Sequence, residues 1–480
     1  MANGDRIAEL ETRLSELTAE NQALRDRIAL LEAELGRNSQ NSSKPPADDT
    51  LKPRQSRAER RASARASGRR QGKQPGAPGA NLARRHPDET RRHRAACCKG
   101  CAADLAGAEV VGEVRRQVLE IPRIRVRAID HVTERRRCRC GVETTGEFPT
   151  EARAPVCWGP EVRALAVYLL DRQHLPLERT AELLGELLDA PVSTGWLCAV
   201  QQEAAGRLIP FITALKGALA EAPVLHADET STRVGVTKRW VHTVATNLLT
   251  LLAVHPRRGI EALEDIGVIP SFEGTIVHDG WSPYERYDQA RHAQCGAHLL
   301  RHLSAVGETT AFATWTAQMA AVLLDAKLSS EAAAEAGKAT VAPRRAKALR
   351  RRYHGTLEVA FALLPKGPPP RRRHEGGWNV HQRAAWNLAT RLREDEDQVL
   401  RMIDDTRVPF TNNTAERALR PTKLHDKISG TFRSDDGATA FVTVRSYLQT
   451  VGLNGRNRLE ALNQLWTTGP WLPPSPAGGT

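Results

Sequence analysis

A succession of short apolar segments between residues 224 and 295 constrains the fold of this chain more than any other feature. Each segment is long enough for one strand, and polar residues and glycines separate them. The predicted strands are Val224–Thr230, Arg239–Thr246, Leu249–His255, Gly274–Trp281 and His292–Cys295, with a short helix at Gly259–Ile266. Strands and helices in this order predict an α/β fold built on a single sheet.

Two of these predicted strands end in aspartates, Asp228 and Asp279. If the strands are neighbours, the carboxylates face one another, and a buried pair of like charges needs a cation. Oxygen ligands suit Mg²⁺ or Mn²⁺, and two such ions support phosphoryl transfer. Three strands, a helix and a further strand are compatible with a ribonuclease H-like core, in which a helix supplies a third carboxylate.

The best candidate for that third carboxylate is Glu416, at the start of a predicted helix that Thr411 or an asparagine can cap. Basic residues follow it closely and can hold phosphates. They are Arg417, Arg420, Lys423, Lys427 and Arg433. The alternative is that all three acids are ordinary residues at strand ends and at a helix start.

The charge of the chain favours a polyanionic partner. Its formal net charge is +13 and its pI about 9.6. Residues 51–94 contain 14 Lys and Arg against 3 Asp and Glu, and Arg69 and Arg70 lie at the centre of this arm. We predict that residues 38–96 form a disordered basic linker that follows DNA phosphates. The alternative is a linker that only increases solubility.

A strict heptad repeat precedes this linker. Leucine fills every d position, and a single asparagine, Asn21, interrupts the isoleucines and leucines at a. This pattern predicts a parallel two-stranded coiled coil over residues 1–37 and hence a homodimer. A helix packed on its own protein is the alternative. The a positions are Ile7, Leu14, Asn21, Ile28 and Leu35, and the d positions are Leu10, Leu17, Leu24 and Leu31.

Two cysteine pairs mark residues 97–158. Cys98-x2-Cys101 and Cys138-x-Cys140 flank two predicted strands, Val110–Val118 and Ile124–Val132. Pairs on hairpin knuckles can converge as a four-thiolate zinc site, so we predict a small zinc-binding hairpin domain. Cys97 can replace Cys98, and reduced thiols without a metal are the alternative.

The remaining segments read mainly as helices. Residues 159–220 resemble a helix-turn-helix in which Ser193 caps the second helix, although any helical hairpin gives the same pattern. Residues 301–404 form a predicted helical insertion, with helical patterns at Ala311–Leu324 and Arg345–Leu363. Its basic face contacts DNA or is simply solvated, and comprises Arg344, Arg345, Arg350, Arg351 and Arg352. The catalytic domain is predicted to comprise residues 221–300 and 405–460, followed by a tail at 461–480.

Several residues beside the acids have two interpretations. Glu229 is a weaker candidate ligand than Asp228, because adjacent strand residues point to opposite faces. We expect His226 and His278 to pack or to support the acids, and Cys295 and His298 to have a structural role, since a Cys-x2-His pair alone lacks two zinc ligands. Base stacking is the alternative to packing for three aromatic residues, Trp281, Tyr284 and Tyr287.

Three stretches together are similar to the insertion-sequence 66 family of transposases, a DDE transposase family. They are LHADETSTRVG at 225–235, VHDGWSPYERYDQARHAQCGAHLLRHL at 277–303 and PFTNNTAERALRPTKLHDKISGTFRS at 409–434. SYLQTVGLNGRN at 446–457, the N-terminal NSQNSSKPP and the cysteine hairpin extend the similarity over nearly the whole chain. The resemblance implies that Asp228, Asp279 and Glu416 are the metal-binding triad.

The resemblance also implies an activity. Water cleaves DNA at the ends of the element, and the freed 3′-hydroxyl joins to target DNA without a covalent enzyme intermediate. The expected partners are terminal-repeat and target DNA and companion proteins of the element. A metal-dependent nuclease without joining activity and a DNA-binding relic are the rival functions. We expect the bacterial cytosol and nucleoid as its location, since no apolar run of 18 residues and no signal peptide is visible.

Overall fold

The structure is a computed structural model that describes residues 82–122, 124–149, 151–152, 154–370 and 378–474. The predicted coiled coil and the centre of the basic arm, with Arg69 and Arg70, lie outside these residues. The described chain divides into two compact units, residues 82–125 and residues 126–474. No helix in the described ranges is both long and apolar enough to cross a lipid bilayer.

The cysteine region contains one hairpin, and it differs from the predicted one. Strand β1 (Arg135–Arg137) pairs antiparallel with β2 (Glu143–Thr145), and the turn between them carries Cys138 and Cys140. Val110–Val118 and the described residues of 124–132 form no strands, so this prediction was wrong. Their apolar side chains, such as Val111 and Val114, are almost fully exposed. β-propensity without a layer to bury these side chains does not make a sheet.

Four helices precede the main sheet, as predicted for this region. A π-helical turn at Tyr168–Arg172 follows the first of them. Ser193 caps the third helix, because its hydroxyl accepts a hydrogen bond from the Trp196 N–H at 3.1 Å. The helices are α1 (Pro160–Val167), α2 (Leu177–Leu188), α3 (Thr194–Arg207) and α4 (Ile209–Ala220).

The main sheet has five strands, each close to its predicted position. The spatial order is β5-β4-β3-β6-β7. Strands β3, β4 and β5 form an antiparallel meander, and β6 and β7 run parallel to β3. A helix, α5 (Ile260–Ile266), precedes β6 as predicted. The strands are β3 (Val224–Val234), β4 (Thr237–Ala245), β5 (Thr250–His255), β6 (Thr275–His278) and β7 (Arg291–Gln294).

A helical insertion follows the last strand, as predicted. Helix α6 (Gly296–Gly307) leads from β7 into it. Trp315 and Tyr353 are fully buried and pack in one cluster with Val277 and Ala293 of the sheet, so the insertion is docked on the sheet. The further helices are α7 (Ala313–Glu335), α8 (Pro343–Ala362), α9 (Val380–Glu394), α10 (Glu396–Val399) and α11 (Arg401–Asp404).

Three C-terminal helices complete the fold, α12 (Asn413–Ile428), α13 (Asp435–Leu453) and α14 (Arg458–Thr467). The largest core joins α13 and α14 to the sheet and to the helices before it. Within it, the rings of Phe211 and Tyr447 meet edge to face, with centroids 4.9 Å apart. Helix α12 packs on β3 and β4 through Ala418 and Leu419, and this contact positions the candidate site.

Candidate active site

The two candidate aspartates lie at equivalent positions of two adjacent parallel strands, Asp228 within β3 and Asp279 directly after the last residue of β6. His226 of β3 is paired with Val277 of β6, and Asp228 and Asp279 each come two residues later. Parallel neighbours are about 4.8 Å apart, so the two aspartates are next to each other across the sheet. Asp228 lies within its strand, because β3 continues to Val234. The sequence placed it at a strand end, and that was wrong.

Helix α12 runs along β3 and carries Glu416 to Asp228. Asn412 at its start contacts His226, and Asp426 near its end accepts a hydrogen bond from Thr232 at 2.9 Å. Between these two contacts the helix rises about 21 Å and the strand about 20 Å, so the two segments have nearly the same length. Glu416 lies about 6 Å along the helix and Asp228 about 7 Å along the strand from the first contact.

The pKa of Asp228 reflects the proximity of these acids. Burial and the neighbouring carboxylates raise the pKa of Asp228 to about 7, and Glu229, Asp279 and Glu416 are the charges responsible. Negative charge close to a buried carboxyl group disfavours its ionised form. A divalent cation would offset this repulsion, and carboxylate oxygens are ligands that suit Mg²⁺ or Mn²⁺. Among the described residues, the group of ligand atoms within 4.8 Å of one another that includes Glu416 contains Cys295 and His298 and neither aspartate.

Glu229 belongs to a different cluster from its neighbour Asp228. Its carboxylate pairs with Arg258 at 2.6 Å and accepts a hydrogen bond from the Tyr284 hydroxyl at 2.8 Å. Arg258 in turn lies over the Trp281 ring, 4.4 Å from its centroid. The Glu229 carboxylate is therefore already paired with a cation of the protein, Arg258.

Asn412 links the elements that carry the candidate acids. Its amide nitrogen donates to the Ala227 carbonyl at 2.8 Å, and its amide oxygen lies 3.0 Å from Nδ1 of His226. Its backbone N–H donates to the Cys295 sulfur at 3.2 Å. The prediction that an asparagine side chain caps this helix was wrong for Asn412, which occupies the cap position but makes no capping bond.

The turn that holds Asp279 is fixed from two sides. The Gly280 N–H donates to Nδ1 of His278 at 3.0 Å. From the insertion, Arg391 donates to the Asp279 carbonyl at 3.0 Å and to Gln294 at 2.9 Å. Gly280 has φ +86, and a Cβ there would lie 1.8 Å from the Arg391 guanidinium. Both the turn and the close approach of Arg391 therefore require glycine.

His278 and His292 form a buried hydrogen-bonded pair below this turn. Because Nδ1 of His278 accepts from Gly280, its Nε2 carries the proton and donates to Nδ1 of His292 at 3.2 Å. Nε2 of His292 then donates to the Tyr287 carbonyl at 3.1 Å. Burial lowers the pKa of His278 to about 3, so the ring is neutral. These contacts fit the expected supporting role of His278.

Glu416 also belongs to a second group of potential metal ligands. Cys295, His298 and Glu416 each offer one ligand atom, and these atoms lie within 4.8 Å of one another. Cys295 is fully buried, and Nδ1 of His298 lies 4.0 Å from Glu416 Oε1. The guanidinium of Arg301 lies at the same distance from that oxygen. The Cys-x2-His pair identified in the sequence thus gains a third ligand from α12.

Two of the three aromatic candidates for base stacking are core residues. Tyr284 is 1% exposed and Tyr287 is 5% exposed, and the Tyr287 hydroxyl donates to Glu264 at 3.0 Å. Their rings are covered by the protein, so neither is available to stack on a base. Trp281 is half-buried and packs edge to face on Tyr284, with centroids 5.4 Å apart.

The basic residues that follow Glu416 are mostly exposed. Arg420 is half-buried, and Lys423 donates to the Ser231 carbonyl of β3. The exposed residues are Arg417, Lys423, Lys427 and Arg433. On the insertion, Arg350 pairs with Asp404 at 2.6 Å and with Glu396 at 3.0 Å. The basic face of the insertion is thus partly neutralised by its own acids.

The cysteine pairs each occupy a tight turn in a separate compact unit. All eight cysteines lie among the described residues, and each is a free thiol. Backbone N–H groups of Cys101 and Gly100 lower the pKa of Cys98, and the N–H of Cys140 lowers that of Cys138. Backbone donors around a thiol favour the thiolate, which is the form that binds zinc.

Sequence reasoning missed Asn412 and Arg391 as parts of the site. Asn412 was considered only as a helix cap, and Arg391 lies in the insertion, far along the chain from Asp279. Their hydrogen bonds span 185 and 112 residues of sequence. The one available signal was the pair of asparagines at the start of the helix that carries Glu416.

The part of the chain that holds these residues matches a known class of DNA-processing enzymes, the transposases. A family model described as Transposase IS66 family matches residues 155–440, more than half of the chain. The chain belongs to this family. Membership carries a transposase role, with DNA binding and a general use of divalent metal ions. A family of unknown function, DUF6444, matches residues 2–83. No curated protein matches the chain.

Proposed function

We propose that the protein is a DNA transposase in which Asp228, Asp279 and Glu416 form a metal-binding catalytic triad. The observation that carries the proposal is the in-register placement of the two aspartates, with Glu416 brought alongside by α12. The strand order, an antiparallel meander followed by two strands parallel to its first, supports a ribonuclease H-like core for residues 221–300 and 405–460.

These three carboxylates would hold Mg²⁺ or Mn²⁺ ions, and such ions would supply activation of a water or a 3′-hydroxyl and stabilisation of the leaving oxygen. The protein's own part is to position the carboxylates and the DNA. Asn412 fixes α12 against β3, and Arg391 fixes the turn of Asp279. Such positioning supplies a large share of the barrier reduction in phosphoryl transfer.

The reaction comprises two displacements at phosphorus. First, a water oxygen bonds to the phosphorus at the end of the element, and the 3′-oxygen leaves as a hydroxyl. That hydroxyl then bonds to a target phosphorus, and the target's own 3′-oxygen leaves. Each step forms one P–O bond and breaks another, and the proton lost by the attacking water or hydroxyl is balanced by the proton gained by the leaving 3′-oxygen. Neither an oxidant nor a protein nucleophile is therefore required.

The DNA is proposed to lie over the exposed face of α12 and the chain after it, close to Glu416. Arg417, Arg420, Lys423, Lys427 and Arg433 supply the positive charge there. We assign the helix-turn-helix-like segment at 159–220 and the basic arm at 38–96, with Arg69 and Arg70, to additional contacts with the element's ends. A zinc ion held by Cys98, Cys101, Cys138 and Cys140 would stabilise residues 97–158, which lie between these two segments in the sequence.

Dimerisation through the heptad repeat at residues 1–37 suits a reaction that joins two DNA ends. Deleting residues 1–36 should halve the mass measured by light scattering. Replacing Asn21 with Leu should keep the oligomer but weaken its preference for two strands. An unchanged mass after the deletion would contradict the proposed dimer interface.

A strand-transfer assay separates this function from its rivals. Purified protein is incubated with Mg²⁺, labelled element-end DNA and a plasmid target. We expect joined product, and none with Asp228→Ala. Cleavage without joining would favour a nuclease. Tight DNA binding with no chemistry would favour a DNA-binding relic.

A further inference from the structure

We propose that Cys295, His298 and Glu416 form a site for a thiophilic divalent ion such as Zn²⁺, and that this ion withdraws Glu416 from the triad. Only the second part of this statement depends on the proposed function. The ligand atoms of the three residues lie within 4.8 Å of one another. Sulfur, imidazole nitrogen and carboxylate oxygen together are a donor set typical of zinc and not of magnesium.

The local backbone brings these side chains together. Cys295 is the N-cap residue of α6 and His298 lies in its first turn, so both face the same side. Glu416 approaches from the first turn of α12. The Gly296 N–H donates to the Phe410 carbonyl at 2.8 Å, and the Asn412 N–H donates to Cys295 Sγ at 3.2 Å. The start of α12 is thus tied directly to the start of α6.

The distances suit a tetrahedral ion. Zinc bonds of about 2.0–2.3 Å place ligand atoms roughly 3.3–3.8 Å apart. Nδ1 of His298 and Oε1 of Glu416 are 4.0 Å apart, so only a small contraction is needed. A water molecule can serve as the fourth ligand.

Two further observations point to a ligand at this place. Nδ1 of His298 is a buried atom, and no described residue offers it a hydrogen bond. Cys295 Sγ accepts the backbone N–H of Asn412, and such a bond orients and stabilises a ligating thiolate. A purely structural Cys-x2-His pair explains neither the shared approach to Glu416 nor the buried ring nitrogen.

The proposal has a consequence for activity. Glu416 cannot serve both the thiophilic ion and the hard ion of the triad in the same geometry. Zinc bound to Cys295 and His298 therefore inhibits DNA cleavage in competition with Mg²⁺.

Co²⁺ titration of the full-length protein tests the site directly, because Co²⁺ bound to a thiolate gives a strong charge-transfer absorption. The wild type should bind one more equivalent of Co²⁺ than Cys295→Ser and His298→Asn. Glu416→Gln should bind that equivalent at least about tenfold more weakly, a loss of about 1.4 kcal/mol. Cys198→Ser, which removes an exposed cysteine of α3, should match the wild type.

Equal Co²⁺ stoichiometry in the wild type, Cys295→Ser and His298→Asn would overturn the proposal. Cys295 is fully buried, so its variant needs a check of folding by circular dichroism. If it does not fold, His298→Asn decides the matter, since the His298 side chain is 25% exposed. Full cleavage activity in Asp279→Asn would contradict the proposed triad and leave the Co²⁺ result standing.

Discussion

Asp228 and Asp279 each lie two residues beyond the same pair, His226 with Val277, on adjacent parallel strands. This relationship makes the two residues neighbours, because the register of the sheet brings their backbones side by side. Glu416 joins them because α12 and β3 advance at the same rate between their two points of contact. The sheet and one helix thus bring three acids from distant parts of the chain close enough for Asp279 and Glu416 to raise the pKa of Asp228.

Replacing Asp228 with Asn should stabilise the metal-free protein. The pKa of Asp228 is raised to about 7, so the folded state loses stability as pH rises from about 4 to 7. Asp228→Asn cannot ionise and lacks this loss. Its unfolding free energy should therefore exceed that of the wild type by an amount that grows to about 1–3 kcal/mol as pH rises to 7 and then stays constant. Thermal melts in a chelating buffer at several pH values measure it.

With Mg²⁺ present, the wild type should become more stable than Asp228→Asn. Mg²⁺ stabilises the wild type by binding its ionised carboxylates, and it should stabilise Asp228→Asn far less. Asp288→Asn, which changes an exposed aspartate between β6 and β7, serves as the control and should melt like the wild type. A variant at Asp228 that is less stable than the wild type at pH 7 without metal would contradict the electrostatic account.

Asn412 should matter far more than the asparagine beside it. Asn412→Ala removes two buried side-chain hydrogen bonds and should lower the unfolding free energy by about 2–4 kcal/mol. Displacement of Glu416 should reduce the cleavage rate about a hundredfold and raise the Mg²⁺ concentration needed for half-maximal rate. Asn413→Ala should change stability by about 0.5 kcal/mol or less. Equal effects of the two variants would remove Asn412 from its positioning role.

Two glycines with positive φ separate backbone strain from crowding. Gly235 has φ +56 with open space around it, so Gly235→Ala should cost only about 1–2 kcal/mol and little activity. Gly280→Ala adds a collision with Arg391 and should slow cleavage at least about thirtyfold. Gly280→Ala should also lower the stability of the protein, and adding Arg391→Ala should recover part of this loss. A double-mutant cycle of thermal melts measures the recovery. Additive losses would mean that Arg391 does not fix this turn.

The sequence was sufficient for the strands of the sheet, since each is a short apolar segment bounded by polar residues. It was also sufficient for Asp228, Asp279 and Glu416 as candidates, because acids after apolar strands and at a helix start stand out. It misjudged the end of β3, because the pairing of β3 with β4 extends that strand through the polar residues after Asp228.

Other features depended on contacts that no local pattern encodes. The strand predicted at Val110–Val118 has the right residue types but buries none of its valines, and β-propensity depends on that burial. Arg391 and Asn412 reach the site across more than a hundred residues of chain, and an arginine or asparagine in a helix has many commoner uses. For Tyr284 and Tyr287 the sequence left base stacking as the alternative to packing, and burial by neighbouring elements excludes stacking.

The most direct test of the triad is cleavage of labelled element-end DNA with Mg²⁺ by the wild type and by Asp228→Asn, Asp279→Asn and Glu416→Gln. Each of the three variants should bind the DNA and lose cleavage by about a thousandfold or more, which corresponds to about 4 kcal/mol of barrier. Asp288→Asn should cleave at the wild-type rate. Cleavage that survives in Asp228→Asn or Asp279→Asn would contradict the account, because the two aspartates could not then be the metal ligands on which the chemistry depends.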